Sequence, residues 1–213
     1  MLNLTNVEIL IVSCTNAEMG VRALRHSIQG IHFGKVSILA PYKPTNLVEG
    51  VEYVQIEPLT PNIMNSFALK ELPKYYTHDY VLSIHDDGFV INPHNWRDEF
   101  FEYDFIGAPW PTLYWNTKNR VGNMGFFLKS RKFAQLELQI NYICGPNDWL
   151  VTNYYYDDFL AKGCKYASIE VAAKFSLELP IPEVPHDLSK TFGFHGKHTE
   201  EAKEKCKLLE QYE

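Results

Sequence analysis

Between Tyr80 and Gly88 an apolar run, Tyr80-Val81-Leu82-Ser83-Ile84, stops abruptly at His85-Asp86-Asp87-Gly88. Such a run predicts a buried strand, and the strand then carries a small group of polar side chains at its own C-terminal end. In an open α/β sheet, ligands bind in the crevice at the carboxyl ends of the strands, so the group lies where chemistry is expected. Imidazole and carboxylate side by side are ligand types for a divalent cation. The plain alternative is a strand followed by a polar turn, because Asp-Gly is common turn punctuation. The rest of the chain has to separate the two readings.

Upstream, Val7 to Cys14 is almost wholly apolar and predicts a first strand buried on both faces of a parallel sheet. Thr15 and Asn16 follow as an N-cap pair. Val21, Leu24 and Ile28 recur at helical spacing over Ala17 to Gln29, and Gly30 closes that segment. Val36 to Ala40 and Val51 to Ile56 predict two further strands, each stopped by proline, and Ile63 to Leu72 predicts a helix. This rhythm is that of a Rossmann-like nucleotide-binding half. Neither G-x-G-x-x-G nor G-x-x-x-x-G-K-[ST] occurs, so the phosphates of a nucleotide need another counter-charge. A divalent ion held by Asp87 supplies one, since each unit-charge pair at ~4 Å and an effective dielectric of ~20 is worth roughly 4 kcal/mol.

Downstream, Val121 to Leu128 is a glycine-containing turn running into a strand, where glycine signals close backbone approach. Ser130 caps a helix from Arg131 to Ile140, and Pro146-Asn147-Asp148 opens another that runs to Lys162 with Gly163 as its stop. For Asp148 the simplest role is that of a cap. Lys165 to Ile169 predicts a short strand and Glu170 to Phe175 a helical turn. The proline-rich stretch to Pro185 reads as a functional loop, and Phe192-Gly193-Phe194-His195-Gly196-Lys197-His198 ends it. Local sequence alone makes His195 a turn residue. Thr199 to Tyr212 is a charged amphipathic helix, acidic in its first turn and lysine-rich beyond.

The 213 residues suffice for one α/β domain with a sizeable core, here 1–198, with 199–213 as a charged helix leading toward a further domain. A net charge of −6 argues against a nucleic-acid partner. No apolar run approaches the ~20 residues a membrane span requires. Four scattered cysteines without a CxxC pair, and no apolar leader, predict reduced thiols and a cytoplasmic protein.

Taken together, Asp79 to Pro93, Trp96 to Phe100, Tyr103 to Trp110, Arg120-Val121-Gly122-Asn123-Met124-Gly125-Phe126, Asn147-Asp148 and Phe192 to Gly196 resemble a family of bacterial and viral glycosyltransferases with the GT-A fold. The motifs occur in consistent order from about Val7 to His198. The resemblance implies an α/β GT-A fold with a mostly parallel mixed sheet. It also implies transfer of a hexose or deoxyhexose from a nucleotide diphosphate sugar, with UDP as the nucleotide, to a glycan acceptor such as that of a viral capsid or surface. Mn²⁺ or Mg²⁺ would be held by a D-x-D-type motif, which here reads His85-Asp86-Asp87. That departure leaves Asp87 as the main ligand and makes His85 or Asp86 a ribose contact or a second ligand. His195 matches a further metal ligand, and Lys197 would lie near the diphosphate. Thr15 and Asn16 would face the nucleoside, with Arg22 or Lys70 reaching the base or phosphates. Gly122 and Asn123 would line the space between sugar and acceptor, and Asp148 takes the place of the acceptor-side carboxylate, the general base of an inverting enzyme or the nucleophile or orienting group of a retaining one. Of the aromatic residues Trp110, Tyr114, Trp115 and Trp149, one or two would stack on sugar rings. A sugar nucleotidyltransferase shares the fold but needs a glycine-rich basic loop after the first strand, which this chain lacks. A non-catalytic carbohydrate-binding domain is the alternative from another class.

Overall fold

The computed structural model describes residues 1–212; Glu213 and the side chains of Asn62 and Trp115 lie outside the described residues. Its centre is a six-stranded sheet of order β3-β2-β1-β4-β6-β5. The strands are β1 (Leu2–Val12), β2 (Ile31–Ala40), β3 (Glu52–Gln55), β4 (Tyr80–Ile84), β5 (Phe105–Gly107) and β6 (Phe127–Ser130). The first four are mutually parallel, and β6 runs antiparallel between β4 and β5. The fold is thus GT-A-like, with a mostly parallel mixed sheet flanked by helices.

β1 is buried on both faces, from Val7 through Ile11, as a central parallel strand requires. Glu8 is the exception within it. Its carboxylate is fully buried and accepts hydrogen bonds from the Thr77 amide and hydroxyl at 3.0 and 2.8 Å. Helix α1 (Ala17–Ser27) follows, capped by Asn16, whose side chain accepts from the Met19 amide. It ends two residues before the sequence suggests, and the chain turns out at Gly30 with φ of +74°. Helix α2 (Pro61–Lys70) leads into β4, which occupies the five residues the apolar run marks.

The chain runs outward from β1 through β2 to β3 and then crosses back to place β4 on the other side of β1, and this reversal opens a crevice at the carboxyl ends of β1 and β4. The His85-Asp86-Asp87-Gly88 turn sits at that crevice. It is closed by two backbone bonds, His85 N–H to Gly88 O at 2.7 Å and Gly88 N–H to His85 O at 3.3 Å.

Two local expectations are corrected. Lys165 to Ile169 forms no strand; only Tyr166 bridges Phe105 in parallel. The Asp104 carboxylate takes the Lys165 amide, and Ser168 caps helix α6 (Ile169–Phe175), so the segment has no room to extend. Nor is there one helix from Asn147 to Lys162. After α3 (Arg131–Glu137), a short α4 (Asn147–Trp149) passes into a π-helical stretch, Leu150–Tyr154, before α5 (Tyr156–Ala161). The remaining pair, β7 (Ser176–Leu177) and β8 (Gly193–Phe194), brackets the proline-rich loop. The C-terminal α7 (Glu200–Cys206) continues as a 3₁₀ turn, Lys207–Tyr212, and folds back on α1. Ala202 and Leu209 are buried there, and the Arg25 guanidinium lies 5.0 Å from the centre of the Tyr212 ring.

Candidate active site

The β4 turn and the β8 loop are sewn together by the backbone. Gly196 N–H donates to Asp87 O at 2.7 Å, His195 N–H donates to Leu177 O at 3.2 Å, and Val90 bridges Gly193. Consequently His195, over a hundred residues from Asp87 in sequence, is held beside it. One ligand atom each from His85, Asp87 and His195 lie within 4.8 Å of one another. His195 Nε2 is 3.8 Å from Asp87 Oδ1, and the two imidazoles meet edge to face at 5.7 Å between ring centres.

Two glycines make this approach possible. A side-chain carbon at Gly125 would overlap the His195 ring, and one at Gly88 would press on it at 3.0 Å. Gly125 therefore leaves room for an imidazole, and Gly88 does so while also closing the β4 turn.

Burial pushes the His85 ring down to about 4, and the neighbouring His195 adds to the effect against the opposing pull of Asp87 and Asp86. His85 is then neutral near pH 7, with a lone pair available for a metal. Two imidazoles and a carboxylate are a donor set for a divalent transition ion; the Asp87 carboxylate suits Mn²⁺, while the two imidazoles make the set a poorer match for Mg²⁺, which prefers oxygen. Asp86 points elsewhere. It is exposed and lines a cavity of about 340 Å³ with Arg22, Lys197 and Cys206, between α1 and the C-terminal helix.

On the other side of His195 lies a cavity of about 360 Å³, lined by Trp110, Asn123, Asp148, Trp149, Glu178 and His195 among others. Asp148 occupies the start of α4, where its Oδ1 accepts from the Trp149 amide at 2.7 Å. The cap position of α4 falls at Pro146, so Asp148 is not the cap the sequence suggests but a wall of the cavity. Burial raises its pKa, and the charge of Glu178 adds to the rise. Gly122 sits under the Trp110 ring and the Thr152 methyl, where a side chain would clash. Asn123 is buried; its amide donates to Glu178 Oε2 at 2.8 Å and its oxygen accepts from the Gly125 amide at 2.9 Å.

The structure thus brings together His85, Asp87 and His195 as one group. Asn123 and Asp148 share a cavity with His195, while Arg22 and Lys197 share another with Asp86. Thr15 and Asn16 lie exposed after β1, with the Asn16 oxygen engaged as the α1 cap. Lys70 donates its ammonium to the Leu138 carbonyl beyond α3, which is the work of a helix-end cation. Trp110, Tyr114 and Trp149 all line the Asp148 cavity. The residue missed from sequence is Glu178. It lies in an irregular proline-flanked segment without a motif, and only the fold places it against Asn123 and His195.

No curated protein matches the chain in sequence. Among solved structures, an active-site mutant of LgtC is similar with a TM-score of 0.58 at 14% identity, covering 96% of this chain and 95% of that one. The galactosyltransferase LgtC in complex with donor and acceptor sugar analogues gives 0.55 at 13%, covering 96% and 94%. The apo form of the glycosyltransferase GlyE from Streptococcus pneumoniae TIGR4 gives 0.55 at 12%, with 96% of this chain spanning 59% of that chain. At these identities the likeness establishes the fold. No helix among the described residues is long and apolar enough to cross a membrane. A family model matches residues 63–195, more than half of the chain. Its span opens within α2, takes in the β4 turn, Asn123, Asp148 and Glu178, and stops at His195. The chain therefore belongs to the family described as protein of unknown function (DUF5672).

Proposed function

We propose that this chain is a metal-dependent glycosyltransferase that transfers a hexose or deoxyhexose from a nucleotide diphosphate sugar, with UDP as the nucleotide, to a glycan acceptor. The observation that carries the reading is the convergence of His85, Asp87 and His195 at the switch point of a GT-A-like sheet, next to a cavity walled by Asp148. The neighbouring structures named for glycosyltransferases support it.

In this scheme His85, Asp87 and His195 would hold Mn²⁺ or Mg²⁺, which would supply charge neutralisation for the diphosphate leaving group. Lys197 and Arg22, on the Asp86 side, add positive charge near the nucleotide. Asn123 and Gly122 shape the passage between the metal side and the Asp148 cavity. Asp148, whose raised pKa makes it the better base, would accept the proton of the acceptor hydroxyl in an inverting course, and in a retaining one would act as nucleophile or orienting group. Aromatic walls at Trp110 and Trp149 receive sugar rings.

The test is UDP binding followed by thermal shift with and without Mn²⁺. Bound ligand raises apparent stability by RT ln(1 + [L]/Kd), so wild type should show a Mn²⁺-dependent shift. Asp87→Ala is expected to abolish Mn²⁺-dependent UDP binding, because it removes a proposed ligand itself, and losing a group that merely supports a ligand already costs about 10–100-fold. Equal, metal-independent binding by both proteins would sink the reading. Glycan binding indifferent to UDP would point instead to a carbohydrate-binding domain.

A further inference from the structure

We propose that Glu178 is the positioning residue that fixes His195 in the tautomer and orientation of a metal ligand, and so ties the metal side of the site to the Asp148 cavity. This rests on the metal reading above, and the measurements below separate the two.

The Glu178 carboxylate is largely buried between three partners. Oε2 accepts from the Asn123 amide at 2.8 Å; Oε1 lies 3.1 Å from His195 Nδ1 and 3.4 Å from His198 Nε2. His195 Nδ1 is itself buried and has no aligned hydrogen bond, so the carboxylate is the acceptor it faces at close range. The 3.1 Å approach lies off the ideal N–H direction but within charge-assisted reach of the carboxylate. A carboxylate at that edge stabilises the proton on Nδ1 and leaves Nε2 bare. Nε2 is the nitrogen that faces Asp87. Metal-bound histidines characteristically donate their second nitrogen to such a carboxylate, which sets the tautomer and strengthens the ligand. Glu178 is in turn held by Asn123, whose oxygen takes the Gly125 amide beside the same imidazole. The ring is therefore bounded by Glu178 at one edge and by Gly125 on its face, both tied to Asn123.

A purely structural Glu178 would stitch the Asn123 loop to the proline-rich segment without affecting the histidine. Nitrogen-15 NMR of histidine-labelled protein decides between the roles without any catalytic assay. The expected result is His195 with the proton on Nδ1 in wild type and a mixed or reversed tautomer in Glu178→Gln. In parallel, Mn²⁺ titration followed by electron paramagnetic resonance should show Glu178→Gln binding about tenfold more weakly, within the 10–100-fold range for such partners. His198→Ala, which removes the exposed imidazole from the same oxygen, should stay within twofold of wild type. Glu178→Asp, which keeps the charge but withdraws it, should fall between, and it serves where the glutamine variant does not fold.

A wild-type His195 protonated on Nε2 overturns the proposal, as does Mn²⁺ affinity in a folded Glu178→Gln or Glu178→Asp protein equal to wild type. Absence of Mn²⁺ binding in wild type overturns the metal reading of the previous section. The tautomer measurement then still decides the role of Glu178.

Discussion

Gly125→Ala is expected to abolish metal-dependent UDP binding and to lower sugar transfer about 10³-fold or more, while the chain still folds. The reason is steric. The methyl group would occupy the space of the His195 ring, and the ring cannot retreat easily because Gly88 and Glu178 bound it elsewhere. Overpacking of this kind costs about 1–3 kcal/mol of stability, which a domain of this size tolerates. Displacing His195 costs more in function. In the proposed mechanism it withdraws one of three metal ligands, and metal stabilisation of a leaving group is worth several kcal/mol, at a factor of ten in rate for each ~1.4 kcal/mol. Combining Gly125→Ala with His195→Ala supplies the control. If the penalty comes from overlap with the imidazole, removing the imidazole relieves it. The double variant should then be more stable than Gly125→Ala and no less active than His195→Ala, a non-additivity expected of residues in contact. Additive losses of stability in urea titrations would show that Gly125 serves the loop itself and not the histidine.

That glycine marks where sequence reasoning reaches and where it stops. The β4 strand was legible to the residue because a short apolar run bounded by polar residues has few other solutions, and the caps at Asn16 and Ser130 were legible because capping is local. His195 reads locally as a turn residue, and only the ordered motifs lift it toward a ligand. The structure supplies the cause, since Gly196 and Val90 clip the β8 loop to the β4 turn. Glu178 was illegible because its meaning lies wholly in contacts across 55 residues to Asn123 and 17 to His195. The π-helical stretch after Trp149 was missed for the opposite reason. The local pattern favours an ordinary helix, and the Tyr155 amide reaching back to the Leu150 carbonyl, five residues away, overrides it. Lys165 to Ile169 has strand-like residues but is pre-empted by the Asp104 contacts and the Ser168 cap.

A second consequence of side chains meeting across the sheet is hidden beneath the site. Lys129 on β6 and Glu137 on α3 form an ion pair at 2.6 Å with both side chains essentially inaccessible to water. Lys129 also lines a cavity of about 110 Å³ with Ser83 and His85, so the pair lies behind the strand that leads to His85 and Asp87. Its ammonium faces the rings of Tyr76 and Phe127 at 5.2 and 5.1 Å, while Glu137 Oε1 has no hydrogen-bond partner. Burial pushes Glu137 up to about 6 and Lys129 down, each against the pull of the other. Lys129→Met is therefore expected to destabilise the fold by about 3–5 kcal/mol near pH 7, because it strands a buried carboxylate. Lys129→Met with Glu137→Leu should recover most of that loss, since an apolar pair of similar volume leaves no charge to desolvate.

The pH dependence has a definite sign. Glu137 has a folded-state pKa above its ordinary 4.5, so its protonation favours the native state, and removing Lys129 raises that pKa further. The Lys129→Met deficit should be full above the folded-state pKa. It should shrink as the pH falls toward 4.5, by up to ~1.4 kcal/mol for each pH unit. Referring Lys129→Met to the double variant at each pH isolates this from other titrating groups, because the double variant has no carboxyl at 137. Urea unfolding at pH 5 and pH 8 measures it. A Lys129→Met deficit that is independent of pH, or a double variant no more stable than the single, would mean that packing of the lysine stem, and not the stranded charge, sets the cost.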